Sequence, residues 1–371
     1  MTKLHCRMRL GNVSLHLFQI IAGFELLARR GVIELAIERL ARGAGTAPPL
    51  PPNMLDVTLN GEIRLLYDLN DGYDNLVEEP ERLYGPLLQH YDVCFKRSFS
   101  AARNAQLTNG GKLRPLGLNY MVTIPGSAAH WPMPLDPRIE KLKKLIRMLP
   151  LTVHYYGWYT VERFEDVPRP EEPPFVLFMA RMWDVGGDSP DTHLPEAKRE
   201  ERHYINEQRA RTIRLCREAF GDLFHGGVAP TPFAVNHYPD IVIADRRAVS
   251  RRDYLKRMKQ SSICIATMGL HQSIGWKFAE YVAASKAIVT ETLHYEVPGV
   301  FGENRNYLSF RAPEEAVEAV SRLIRDEGLR MNLMQNNHNY YRHHVRPDRL
   351  VLNSLMAAVA SPRQEKAVIV Q

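Results

Sequence analysis

Apolar and polar residues alternate over residues 4–10 with the two-residue period of a strand, Gly11 and Asn12 break the alternation, and from Val13 to Arg30 the apolar positions recur at helical spacing. The chain therefore opens strand, turn, helix. Strand-like runs follow at 54–59, 62–69, 91–98 and 116–123, and the Gly/Pro-rich stretch "ARGAGTAPPLPPN" before the first of them reads as a surface loop. Between 138 and 149, Ile139, Leu142, Leu145, Ile146 and Leu149 mark one helical face, ringed by Arg138, Lys141, Lys143, Lys144 and Arg147. Such a helix could lie on an anionic bilayer, or be an ordinary surface helix with a solvated basic side.

The rhythm restarts after "VERFEDVPRPEEPP", residues 161–174, whose acidic and proline-rich composition suits an extended linker. Residues 175–180 read as a strand, and a long amphipathic helix follows, ending near Phe220 with Ile205, Thr212, Ile213, Cys216 and Phe220 as its inner stripe. Strands at 240–244, 262–267 and 287–290 then alternate with helices near Tyr254, from Trp276 and over 313–325. Alternating strands and helices predict α/β architecture with parallel sheets covered on both faces. The economical division is an N-terminal domain over 1–160, a linker over 161–174, a second domain over 175–340, and a closing helix and tail over 341–371.

Composition narrows the picture only a little. A chain of 371 residues is long enough for two cores, and 45% hydrophobic with 24% charged residues is ordinary for a globular protein. The net charge of +6 suits anionic ligands without selecting among them. Cys6, Cys94, Cys216 and Cys264 form no C-x-x-C, which fits a reducing, cytoplasmic setting. The apolar N-terminal stretch is interrupted by His16, Gln19 and Glu25, unlike a secretory signal, and no uncharged run reaches the roughly 18–20 residues of a membrane span. Membrane contact, if any, would be peripheral, on the inner face, through 138–149.

Candidate chemistry gathers where one strand hands over to a helix. "SICIAT" supplies the strand, "MGLHQSIG" the loop and "WKFAEYVAAS" the helix. In an open parallel sheet, ligands bind beyond the carboxyl ends of the strands, where amides at a helix start can hydrogen-bond an anion. Gly275 would let the chain turn tightly and a ligand approach the main chain. Lys277 and Glu280, three apart, share one helix face: the lysine could neutralise a phosphate and the glutamate accept hydrogen bonds from a vicinal diol. The pair could equally be a surface ion pair of little consequence.

The run "S-I-G-W-K-F-A-E-Y-V-A-A-S-K-A-I-V" resembles the nucleotide-binding segment of GT-B glycosyltransferases, in which a glycine-bearing loop leads into K-x-x-E-Y-x-A-x-G-K-P-V-I. The resemblance is specific over 264–293 and diffuse elsewhere. It implies two Rossmann-like doubly wound domains facing each other across a cleft, with a nucleotide-sugar on the C-terminal domain and Glu280 at its ribose. Gln272 stands where retaining members carry the first glutamate of E-x7-E, so a charged contact to the donor sugar is replaced by an amide. Arg181, just after the strand "FVLFMA", matches an arginine that meets the donor diphosphate in the family. With Ser273 and Gly275 in the loop, the resemblance implies a donor site of Arg181, Gln272, Ser273, Gly275, Lys277 and Glu280.

For the other half of the reaction, Asp68 and Asp71 in "LLYDLNDGYD" could take a proton from an acceptor hydroxyl, although Asp, Asn and Gly also simply make turns. His130, and His16 at the start of the first helix, are further candidate bases, though a lone histidine is more often structural. Lys96 and Arg97 after another strand could meet a charged acceptor or be solvated strand ends. Tyr73 stands where a calcium loop needs glycine, and His343-His344 lacks ligand spacing, so no metal is expected. The expected activity is metal-independent transfer of a hexose from a UDP- or GDP-sugar to a saccharide or other hydroxyl acceptor, with no cofactor and no nucleic-acid partner. The competing expectation is a non-catalytic nucleotide- or sugar-binding protein with a degenerate site.

Overall fold

A computed structural model describes residues 3–11, 13–40, 50–73, 79–130, 156–187 and 194–361. The basic segment 138–149 lies outside them. The chain forms two compact units, the first made of Met1–Gly117, Met121–Ile146 and Arg346–Gln371, the second of Leu118–Tyr120 and Arg147–Val345.

In unit 1, strands β1 (Leu4–Leu10), β2 (Ile33–Arg39), β3 (Met54–Leu59), β4 (Ile63–Asp68), β5 (Val93–Lys96) and β6 (Leu113–Pro115) make one sheet in the order β2-β1-β3-β4-β5-β6. The expected parallel sheet carries one exception, because β3 runs antiparallel to both β1 and β4. The reason is local. Asn60 and Gly61 both adopt positive φ, 52° and 74°, in the three-residue turn between the paired Leu59 and Ile63, so β3 folds straight back onto β4. The run 116–123, which alternates like a strand, is buried yet forms no strand, because the chain leaves unit 1 at Gly117 and its residues 118–120 belong to unit 2.

Helix α1 (Phe18–Arg29) buries Ile20, Ile21 and Phe24 against the sheet, with Tyr67 edge-on to Phe24. The C-terminal helix Pro347–Ala360 packs against α1. Their approach depends on Gly23, since a β-carbon there would meet the carbonyl oxygen of Pro347 at 2.3 Å. Tyr67 and Ser354 share a hydrogen bond of 2.7 Å, and Arg30 pairs with the buried Asp348, so the chain's last helix is tied to its first hundred residues.

Unit 2 is an all-parallel sheet of β7 (Val176–Ala180), β8 (Phe224–Val228), β9 (Ile263–Ala266), β10 (Ala287–Glu291) and β11 (Tyr307–Phe310), in the order β11-β10-β9-β7-β8. Its inner strands β7, β9 and β10 are short, mostly apolar runs buried on both faces, as a helix-covered parallel sheet requires. The strand expected at 240–244 is a short 3-10 turn with a single bridge from Val242 to Val228, and β8 takes the sheet edge. The stretch read as a linker begins with a helical turn, Val161–Phe164, whose two end residues are buried. A long helix, Glu196–Phe220, and helices Arg251–Gln260, Trp276–Ala283, Pro313–Arg325 and Glu327–Tyr340 cover the sheet. Among the described residues, no helix is long and apolar enough to cross a membrane.

Candidate functional site

The loops at the carboxyl ends of β7 and β9 are held by one face of the long helix Glu196–Phe220. Arg202, Asn206 and Arg209 stand four and three residues apart, hence on one face, and all three are buried. Asn206 clamps Trp183 by accepting from its amide at 2.9 Å and donating to its carbonyl at 2.7 Å. Arg202 donates to the Asp184 carbonyl, and Arg209 donates to the carbonyls of Arg181 and Met268 and to the Thr267 hydroxyl. Glu291, at the end of β10, accepts from the Met268 amide at 2.6 Å. This polar stripe was not visible in the sequence, where the same helix shows only its apolar positions. The one available signal was the four-and-three spacing of Arg, Asn and Arg.

Arg181 is placed at the exposed start of the β7 loop, its guanidinium 4.9 Å from the Trp183 ring. The loop after β9 closes on itself, with the Gly269 amide donating to the Ser273 carbonyl at 2.8 Å and the Ser273 amide to Leu270. The tight turn expected at Gly275 lies elsewhere. Gly275 has φ −66°, and a β-carbon there would meet nothing closer than 3.6 Å, so neither the backbone angle nor the space around the α-carbon requires glycine. His271 and Gln272 carry the turn instead, both at φ 57°, which leaves the Gln272 side chain exposed. Ser273 is buried beneath the loop.

The helix Trp276–Ala283 starts at Gly275 without a side-chain cap, and its first amides point out of the helix end. Lys277 lies on its first turn, partly exposed, with its ammonium 3.8 Å from the Tyr254 ring centre. Among the described residues no acceptor lies within hydrogen-bonding distance of that ammonium. Burial pulls Lys277 down from the ordinary lysine range to about 8; Glu280 opposes the shift, while Arg251 and Arg209 add to it.

Glu280 does not present an open carboxylate. It is 3% exposed, and both oxygens are engaged, one accepting from Arg251 at 2.8 Å and the other from the Tyr254 hydroxyl at 2.6 Å. Burial alone would raise its pKa, yet Arg251, Lys277 and these hydrogen bonds hold it below the ordinary carboxylate range. Arg251 and Tyr254, which the sequence reading passed over, are thus the residues that decide how Glu280 stands.

In unit 1 the sequence candidates separate into two groups. Asp68 and Lys96 are 0% exposed and form an ion pair of 2.8 Å, with the Tyr84 hydroxyl bonded to both. This overturns two expectations: Asp68 cannot receive a proton from a bound hydroxyl, and Lys96 cannot meet an acceptor, because neither reaches solvent. Asp71 is partly exposed and pairs with the buried Arg97 at 2.7 Å. His16 faces the same pair. Burial and the Arg97 charge lower its pKa to about 4 against the opposing pull of Asp71. His130 lies apart, sharing a 2.7 Å hydrogen bond with Thr123 and tilted against Phe18, and burial lowers it to about 4 as well.

The two histidines have a measurable consequence. Both titrate lower in the folded chain than in an unfolded one, so the unfolded state takes up protons first as pH falls. Stability should be full above about 6.5 and drain away between about 6.5 and 4. Urea denaturation across that window checks this, and a flat midpoint there would contradict the burial of both rings. Among the described residues no group of three or more His, Cys, Asp or Glu side chains is placed to hold a metal ion.

Comparisons with known proteins bear on the same region. Residues 202–351 match the family model described as "Glycosyl transferase-like". No curated protein matches the sequence. Among solved structures, WaaG, described as a glycosyltransferase involved in lipopolysaccharide biosynthesis, aligns at 11% identity and TM-score 0.39, covering 95% of this chain and 99% of its own. A glycosyltransferase from Rickettsia africae aligns at 14% identity and TM-score 0.39, covering 74% of this chain and 66% of its own. TarM of S. aureus aligns at 10% identity and TM-score 0.40, covering 78% of this chain, which spans only 49% of TarM. Residues 202–351 of this chain are thus similar to glycosyl transferase-like proteins, and the loop and helix at 264–293 lie within that match.

Proposed function

We propose that this protein is a glycosyltransferase that moves a hexose from a nucleoside-diphosphate donor, a UDP- or GDP-sugar, to a saccharide or other hydroxyl acceptor. The observation that carries the reading is Lys277. Its ammonium lies at a helix start above the Tyr254 ring, partly exposed and with no protein acceptor within hydrogen-bonding distance among the described residues. A cation so placed, beside amides at the helix end, suits a diphosphate. Arg181, at the mouth of the β7 loop, is the second cation for that group, and its planar fork fits phosphate oxygens. Together they would offset the charge that grows on the leaving diphosphate as the glycosidic bond breaks, a task other transferases give to a divalent metal.

On unit 1, His16 is the candidate group to take the acceptor's proton. It is neutral at pH 7, partly exposed, and Asp71 favours the imidazolium that would form. Asp71 then supports the base and Arg97 anchors Asp71. The exposed Gln272 beside the donor loop would offer an amide to a sugar hydroxyl.

Incubation with a panel of UDP- and GDP-sugars, followed by detection of free nucleoside diphosphate, tests the reading. Slow release, lost when Lys277 is replaced, is the expected result. Absence of release together with no thermal stabilisation by either nucleoside diphosphate would overturn it.

A further inference from the structure

The helices Arg251–Gln260 and Trp276–Ala283 enclose an unbalanced set of charges. Among the described residues, Arg251 and Lys277 are cations and Glu280 is the single carboxylate bonded among them, while the nearby buried Arg209 has Glu291 as its own counter-charge. One positive charge is left over in a mostly buried place, which is costly unless an anion arrives. The arrangement also keeps a buried Arg251 Nε with no hydrogen-bond partner among the described residues, a second cost that ordinary packing would have removed.

What holds the set together is Arg251. Its guanidinium lies 4.8 Å from the ring centres of Tyr159 and Phe164 and 5.2 Å from that of Tyr254, while its Nη2 donates to Glu280. Tyr254 has two tasks at once, its hydroxyl bonded to Glu280 and its ring beneath the Lys277 ammonium. Moving any one of the three residues would move Lys277 or change the charge it sees.

We propose that Arg251, Tyr254 and Glu280 form a positioning triad that fixes the Lys277 ammonium and governs its charge, so that the hold on the donor's phosphates is set from behind the site. The last clause rests on the donor reading above; the coupling within the cluster does not. The groups facing Lys277 are Glu280 from its own helix, Arg251 and Tyr254 from the preceding helix, Arg209 from the long helix and Cys264 from β9. Glu280 favours the charged lysine, whereas Arg251 and Arg209 disfavour it, with burial the largest influence against charge.

Opposite signs follow for the two ends of the triad. In the full-length protein labelled with 13Cε-lysine, the Lys277 resonance should titrate near 8. Glu280→Gln should move that midpoint down and Arg251→Gln should move it up, while Arg251→Lys, which keeps the charge, should return it to the wild-type position. UDP and GDP affinity should fall about tenfold for each pH unit above the midpoint, and the break should travel with it in each variant. If Arg251→Gln does not fold, Tyr254→Phe removes only the hydroxyl that steadies Glu280 and should still displace the midpoint. A midpoint unmoved in every folded variant overturns the triad. Midpoints that move as stated while neither UDP nor GDP binds leave the triad standing and remove the donor reading; nucleotide binding with immobile midpoints does the reverse.

Discussion

Replacing Lys96 with methionine is expected to cost unit 1 about 3–5 kcal/mol, a large part of the stability of a typical domain. The substitution would leave the Asp68 carboxyl 0% exposed and without its cation, with Tyr84 and Asn70 as its remaining donors among the described residues. Taking a carboxylate out of water is repaid here by the 2.8 Å contact to the ammonium, and a thioether repays nothing. Combining Lys96→Met with Asp68→Asn should recover much of the loss, because the amide needs no counter-charge. Urea denaturation of the three variants measures this. An acceptor-binding lysine would behave in the opposite way, losing activity while the fold stayed intact, so a Lys96→Met protein of unchanged midpoint would restore the discarded role.

The second large effect concerns Lys277. Lys277→Met should weaken binding of UDP or GDP by about ten- to a hundredfold, the equivalent of about 1.5–3 kcal/mol for a hydrogen bond to a charged group. The same change should leave the protein as stable as before, or more so. Burial works against the ammonium in the folded state, and a methionine of similar length is free of that penalty. Loss of ligand with gain of stability distinguishes a binding cation from a structural one. Calorimetric titration and thermal unfolding of the same sample provide both readouts. A variant that binds as tightly as the wild type would remove Lys277 from the site.

The contrast between these lysines shows why some candidate residues could be placed from the sequence and others could not. Residues 262–283 announce themselves: an apolar run of strand length, a loop of small and polar residues, then apolar positions at helical spacing with Lys277 and Glu280 three apart. Each of those signals is local, and the structure places strand, loop and helix there. Asp68 and Lys96 looked alike from the same vantage, charged residues at the ends of apolar strands. They are register partners on β4 and β5, twenty-eight positions apart, and that adjacency exists only once the two strands pair. Two charges read separately as solvent-facing became one buried pair.

Residue order alone was enough to establish an α/β chain with two cores and to single out the loop that feeds the start of one helix, because periodicity and helix-end chemistry act over a few residues. It could not reveal the antiparallel β3, the polar stripe of Arg202, Asn206 and Arg209, or the hold of Arg251 and Tyr254 on Glu280. Those depend on which segments touch, and a charge behaves as ligand, base or buried strut according to the neighbours and the water that folding leaves around it.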